Sequence, residues 1–97
     1  MTTAVDAALE RALELFGALA VETRLKLLLR LADGELCVCE LYPGIGEQSN
    51  VSRHLAHLAE RGIVALRREG KRHLYRITDT RVPKLLELLG LTDGREG

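Results

Sequence analysis

The fold of this chain is decided by the stretch at residues 48–78, which reads QSNVSRHLAHLAERGIVALRREGKRHLYRIT. Its first part carries apolar residues at three- and four-residue spacing and predicts an amphipathic helix over residues 50–61, with Ser49 as its N-cap. Its second part contains two β-prone runs around a glycine-containing connection and predicts a two-stranded hairpin over residues 63–78. A helix followed directly by a hairpin is typical of a winged helix.

The rest of the chain is predominantly helical in its pattern. Amphipathic spacing and stop signals predict four further helices, at residues 5–19, 22–32, 39–45 and 82–90. The predicted fold class is therefore mainly α, a winged helix-turn-helix with about five helices and a two-stranded β-hairpin wing. We expect one domain over residues 1–97, since the chain is too short for two.

Charge is distributed unevenly along a chain whose net charge is zero. Residues 51–84 carry nine basic and three acidic side chains, a local charge of +6, whereas residues 1–50 sum to −4. A basic segment inside a neutral protein favours a localised site for a polyanion. The alternative for each piece alone is a solvated helix face or a solvated basic hairpin.

The helix at residues 50–61 turns its polar side chains outward, away from the apolar stripe. Arginine forks onto guanine and asparagine onto adenine, while the helix start and the cations of the hairpin suit phosphates. His54 lies on the flank, where we expect a backbone or phosphate contact. The candidate DNA-binding residues are Gln48, Ser49, Asn50, Ser52, Arg53, His54, His57, Arg67, Arg68, Lys71 and Arg72.

Cys37 and Cys39 are the only cysteines, and they lie one residue apart just before the DNA-reading elements. Thiolates are soft ligands for mercury, cadmium, zinc or trivalent arsenic, so the pair is a candidate metal site. Side chains at i and i+2 of a regular helix point about 200° apart, so we expect ligation to unwind the helix start. The alternative is that both thiols are small buried hydrophobic groups.

Three motifs carry a resemblance to a known family: ELCVCEL at residues 35–41, VSRHL at 51–55 and GIV at 62–64. Over about residues 9–78 the chain resembles the ArsR/SmtB family of winged-helix metalloregulatory repressors. The resemblance implies a homodimer built by terminal segments, residues 1–20 and 82–97. It also implies binding to a double-stranded DNA operator as an inverted repeat, and release when an inducer binds.

The resemblance also points to an inducer. In the arsenic-responsive branch the Cys-Val-Cys site binds arsenic or antimony, with a third cysteine that falls on Tyr42 in this chain. The implied function is a repressor released by arsenite, antimonite or mercury at Cys37 and Cys39, with no organic cofactor. The alternatives are a regulator of the same family that senses no metal, or a helical protein-interaction module.

The sequence lacks the residues that other classes of function require. The sequence contains no Ser/His/acid set and no glycine-rich phosphate loop, so we expect no enzyme activity. No apolar run is long enough for a membrane span, so we expect a cytoplasmic protein with no membrane partner. Arg24 is expected to cap a helix or to form an ion pair with Glu22 or Glu60.

Overall fold

The computed structural model describes residues 3–93. Within this range the chain forms five helices and three strands, and the predicted fold class is confirmed. The helices are α1 (Ala4–Leu19), α2 (Glu22–Leu31), α3 (Val38–Leu41), α4 (Gln48–Glu60) and α5 (Arg81–Leu88), and the strands are β1 (Leu36–Cys37), β2 (Val64–Glu69) and β3 (Arg72–Ile77).

Helix α4, which corresponds to the predicted helix at residues 50–61, begins two positions earlier than the sequence predicts. Its N-cap is Glu47, with extended backbone angles of φ −71° and ψ 146°, and Ser49 lies inside the helix. The prediction of Ser49 as N-cap was therefore wrong. A polar side chain close to a helix start does not by itself determine which residue takes the extended N-cap conformation.

Helix α3 is a single turn, shorter than the predicted helix at residues 39–45. Pro43 and Gly44 interrupt it, and Gly44 has a φ of +80° that favours glycine. Arg30 of α2 stabilises this turn, because its Nη1 donates to the carbonyl of Leu41 at 3.0 Å and to that of Pro43 at 2.6 Å. The turn after α3 leads directly into α4, so α3 and α4 are the two helices of the helix-turn-helix.

The wing is part of a three-stranded antiparallel sheet with strand order β1-β3-β2. The hairpin of β2 and β3 was predicted, but the short strand β1 was not. Its register pairs Leu36 with Tyr75 and Cys37 with Leu74. The sheet thereby joins the cysteine-containing segment directly to the wing.

Leucine and valine from all five helices and the sheet form one hydrophobic core. The buried stripe of α4 consists of Val51, Leu55 and Leu58, each completely buried as predicted. Since the outer side of α4 is free of these apolar residues, the core fixes which side chains it presents to solvent.

Helices α1 and α5 leave a large apolar surface exposed. Leu13 is 61% exposed and Phe16 54% exposed on α1, and Leu88 is 81% exposed on α5. Between the two helices lies an apolar groove of about 340 Å³. Residues 94–97 of the predicted terminal segment lie outside the described range. No helix within residues 3–93 is long and apolar enough to cross a membrane.

Candidate DNA interface and thiol pair

Helix α4 presents the predicted polar side chains on its outer side. Gln48, Ser49 and Arg53 are exposed, whereas Asn50 is half-buried. The Arg53 Nη2 atom donates to Asn50 Oδ1 at 2.9 Å, so the two candidate base readers already contact each other. Two further predicted residues of this helix, Ser52 and His57, are half-buried.

His54 is engaged inside the domain. Its Nδ1 accepts a hydrogen bond of 3.2 Å from Arg24 Nε. Burial, and then the charge of Arg24, lower the pKa of His54, which favours the neutral ring that can accept this bond. His54 therefore ties α4 to α2, and only its Nε2 is left for an outside contact.

Arg24 has a different role from the predicted ion pair with Glu22 or Glu60. Besides His54, it donates from Nη1 to the carbonyl of Ala18 in the last turn of α1, at 3.4 Å. The capping alternative is thus confirmed, and the ion-pair alternative was wrong. Arg24 therefore connects its own helix α2 to both α1 and α4.

Two of the four predicted wing cations are held by acidic residues that flank the cysteines. Arg67 forms a two-pronged contact with Glu35, with Nη2 to Oε1 at 2.6 Å and Nε to Oε2 at 3.2 Å. Arg72 Nη2 lies 3.3 Å from Glu40 Oε1. We call these two ion pairs the wing ties, because they join both ends of residues 35–40 to the wing.

The other two wing cations, Arg68 and Lys71, are exposed and form no ion pair within the part of the chain that the structure describes. They are therefore the wing side chains most available to a DNA phosphate. The sequence identified all four cations, but it gave no signal for the wing ties. Each tie joins residues that lie 32 positions apart.

The two cysteines lie side by side at the start of α3. Cys37 is the N-cap and is 4% exposed, while Cys39 is exposed. The Cys37 Sγ atom accepts a hydrogen bond of 3.3 Å from the backbone N–H of Cys39. One ligand atom each from Cys37, Cys39 and Glu40 lie within 4.8 Å of one another.

The expectation that the two thiols point in opposite directions was wrong. It assumed that both cysteines lie in a regular helix, whereas Cys37 has the extended backbone of an N-cap, with φ −75° and ψ 150°. This conformation turns its Sγ atom over the helix start. The pair can therefore approach one ion without unwinding of a helical turn.

The two thiols differ in acidity. A hydrogen bond from the Cys39 thiol, followed by the Cys39 backbone N–H and Arg72, lowers the pKa of Cys37, while its proximity to Cys37 raises the pKa of Cys39. Cys37 is thus the first to reach the thiolate form that a soft ion requires. The donor set suits a thiophilic ion through two sulfur atoms, since the third donor is a carboxylate oxygen of Glu40 that already accepts from Cys37 N at 3.0 Å.

An open cavity of about 310 Å³, here called the thiol cavity, connects the thiols to the DNA-reading elements. Its lining includes both cysteines, two residues of the first turns of α4 and two residues of the wing, namely Cys37, Cys39, Gln48, Ser52, Lys71 and Arg72. Candidate metal ligands and candidate phosphate ligands therefore face one space.

Residues 22–65, which include the helix-turn-helix and the cysteine pair, match the family described as bacterial regulatory proteins of the arsR family. An uncharacterised helix-turn-helix transcriptional regulator of Methanocaldococcus jannaschii, MJ1325, is 39% identical over 82 residues. The matched part covers 82% of this chain and 92% of that protein. The chain belongs to the ArsR family.

A further relative is the arsenical resistance operon repressor of Escherichia coli K12. It is 46% identical over 68 residues, which span 68% of this chain and 58% of the repressor. Solved structures agree with the fold. Reduced HlyU of Vibrio cholerae superposes with a TM-score of 0.82 at 37% identity, covering 88% of this chain and 90% of that one.

The winged helix-turn-helix domain of Mb0332 from Mycobacterium bovis, described as homodimeric and as a possible ArsR-family regulator, gives a TM-score of 0.80 at 32% identity. The superposition covers 94% of this chain and 85% of that chain. As a member of the ArsR family, the protein is a DNA-binding transcriptional regulator and not an enzyme.

Proposed function

We propose that this ArsR-family regulator is a homodimeric repressor that leaves its operator when arsenite, antimonite or mercury binds Cys37 and Cys39. The observation that supports this proposal best is the thiol cavity, in which both thiols lie next to the start of α4 and the wing. A ligand bound there contacts the elements that read DNA. The proposal covers residues 1–97 as one regulatory domain.

For DNA binding, α4 is the element that enters the major groove. Arg53 and Asn50 supply base contacts, and His57 lies one turn further along the same side. No side chain within residues 3–93 caps the N-terminus of α4, so its first backbone N–H groups are available to a phosphate, together with Gln48 and Ser49. Arg68 and Lys71 supply the wing contacts to the DNA backbone.

The thiol pair is the proposed sensor. Thiophilic ions form strong bonds to sulfur. Two thiolates complete the linear coordination of mercury, and they fill two of the three coordination positions of trivalent arsenic. Cys37 and Cys39 are placed for this role by the N-cap geometry of α3. Zinc is expected to bind more weakly, because four protein ligands are its norm.

The wing ties supply the coupling between sensor and DNA. Glu40 Oε1 accepts from both Cys37 N at 3.0 Å and Arg72 Nη2 at 3.3 Å, and Cys37 Sγ accepts from Cys39 N. An ion bound to Cys37 would weaken the hydrogen bond from Cys39 N to its Sγ atom and shift the start of α3, while Glu40 keeps its contact with Arg72. Because this tie joins the cysteine segment to β3, we expect β3 to move relative to α4. The free energy that couples ion binding to DNA binding in this way has the usual size of about 1–3 kcal/mol.

The experiment that tests this proposal is release of labelled DNA from the upstream region of the protein's own gene, followed by fluorescence anisotropy. We expect arsenite, antimonite or mercury to release the DNA from the wild type. The variants Cys37→Ser and Cys39→Ser are expected to bind the same DNA and to stay bound when the ion is added, because an alcohol is a poor ligand for soft ions. Zinc at the same concentration serves as the matched ion control.

Different results identify the alternatives. If the serine variants release DNA like the wild type, the ion binds elsewhere. If no thiophilic ion affects the wild type, the chain is a family member that senses no metal, an alternative favoured by the role of Cys37 as a buried N-cap. A protein that binds its upstream region no better than unrelated DNA contradicts the repressor proposal.

A further inference from the structure

We propose that the thiol cavity binds a small carboxylate-bearing thiol, which supplies the third sulfur ligand to a trivalent arsenic ion held by Cys37 and Cys39. This inference rests on the proposed function and names a second component of the inducer. The inducer is then a ternary complex of protein, metalloid and an anionic thiol such as a cysteine-containing peptide.

The site offers fewer soft donors than trivalent arsenic prefers. Within residues 3–93, the metal-ligating side chains gathered at this site are Cys37, Cys39 and Glu40. Trivalent arsenic prefers three sulfur ligands, and the Glu40 carboxylate is a hard donor whose Oε1 is already shared by Cys37 N and Arg72. One coordination position of the metalloid is therefore left for a sulfur atom from outside the chain.

The thiol cavity has the size and the charge of a site for a small anionic molecule. Its volume of about 310 Å³ lies at the lower end of the range of small-molecule sites, roughly 300–1,000 Å³. Lys71 lines it without an ion pair among the described residues, whereas the charge of Arg72 is balanced by Glu40. Ser52 and Gln48 contribute hydrogen-bonding groups on the side of α4. Such a wall attracts carboxylates and repels cations.

The chemistry balances without an oxidant. Arsenous acid and three thiols form three arsenic–sulfur bonds while three arsenic–oxygen bonds break, and three water molecules leave. Two of the thiols are Cys37 and Cys39, and the third belongs to the small molecule. The oxidation state of arsenic stays at three throughout.

This arrangement also explains how an inducer would displace DNA. Gln48 and Lys71 are proposed phosphate ligands, and both line the same cavity as the candidate DNA-binding residue Ser52. A carboxylate held there competes with a DNA phosphate for these groups. The anionic thiol thus adds charge competition to the change at the wing ties.

The test uses the full, reduced chain without DNA. Arsenite is titrated in the presence of equal concentrations of either glutathione or glutathione diethyl ester, which has the same thiol but no free carboxylates. Affinity is followed by the absorption of arsenic–sulfur bonds, and composition by native mass spectrometry. We expect a retained ternary mass with glutathione and an affinity for arsenite about tenfold higher than with the diester.

Charge variants assign the effect to the cavity. Lys71→Glu is expected to remove the preference for glutathione over its diester. Lys26→Glu is the matched control on α2, outside the cavity, and is expected to keep the preference. Circular dichroism verifies that both variants are folded.

Three outcomes overturn the proposal, and they separate it from the proposed function. If arsenite binds equally well in the presence of glutathione and of its diester, or if no glutathione is retained, the ternary complex is wrong, while sensing by the two cysteines stands. If Lys71→Glu keeps the full preference, the cavity is not the site of the thiol. If Cys37→Ser and Cys39→Ser bind arsenite like the wild type, or if no arsenite binds to the wild type, the proposed function fails as well.

Discussion

At the scale of single residues, the candidate interface contains two kinds of side chain with separable effects on DNA binding. Arg53 is exposed on the outer side of α4 and is oriented by Asn50, a geometry that suits base contacts. Lys71 is exposed on the wing and has no ion pair among residues 3–93, which suits a phosphate contact. Substitution of each therefore produces a distinct signature.

We predict that Arg53→Ala costs about 1–3 kcal/mol on the operator and relaxes specificity at one base position. Lys71→Ala is expected to weaken binding to all sequences alike and to lower the slope of log affinity against log salt by about one. Titrations of operator and scrambled DNA over a range of KCl concentrations measure both effects. Equal losses on both DNAs for Arg53→Ala would show that it contacts only the backbone.

The sequence predicted the residues of this interface better than their partners. The outward position of Arg53 follows from the helical periodicity of Val51, Leu55 and Leu58, which is local information. The contact between His54 and Arg24 joins positions 30 residues apart, so no local pattern indicates it. It depends on how α2 and α4 pack, which only the folded chain determines.

At the scale of secondary-structure elements, the wing ties place two of the wing cations under the control of the cysteine segment. Glu40→Gln keeps an oxygen that accepts from Cys37 N but removes the charge that holds Arg72. We predict that this variant frees Arg72 for a phosphate, raises DNA affinity several-fold at low salt and steepens the salt slope by about one. Because the pair is exposed, the free energy of unfolding changes by less than about 1 kcal/mol.

The control for this prediction is Glu22→Gln, which neutralises an exposed ion pair with Lys26 on α2, far in sequence from the wing. It is expected to leave the salt slope unchanged. Anisotropy titrations and thermal unfolding measure the two quantities. A Glu40→Gln variant with an unaltered salt slope would contradict the idea that Glu40 withholds Arg72 from DNA.

The elements that the sequence did not predict are the ones that link the sensor to the wing. Strand β1 contains two residues, Leu36 and Cys37, too few for an alternating pattern to be recognised. It exists because β3 offers a free edge, with Cys37 opposite Leu74. Pro43 and Gly44 predicted that α3 is short. The N-cap of α3 at Cys37, however, depends on the pairing of β1 with β3.

At the scale of the whole molecule, the exposed apolar surface of α1 and α5 indicates that a second copy of the chain covers it. Large side chains such as Leu13, Phe16 and Leu88 are more than half exposed although they belong to amphipathic helices. Their burial in a twofold dimer would stabilise a small domain whose own core is thin, and each interface residue would contribute twice. The same contact would set the distance between two α4 helices and hence the spacing of an inverted repeat.

We therefore predict that Leu13→Glu or Leu88→Glu yields a folded monomer. Burial of a leucine is worth about 1.5–3 kcal/mol, so loss of two copies weakens dimerisation by about 3 kcal/mol or more, at least a hundredfold. Leu66→Glu is the matched control, since Leu66 is an exposed leucine of β2, 39% exposed and outside α1 and α5. Sedimentation at micromolar concentration is expected to show a dimer for the wild type and Leu66→Glu, and a monomer for the other two. A wild-type chain that sediments only as a monomer, with or without DNA, would exclude the dimer. It would also exclude binding of a twofold dimer to an inverted repeat.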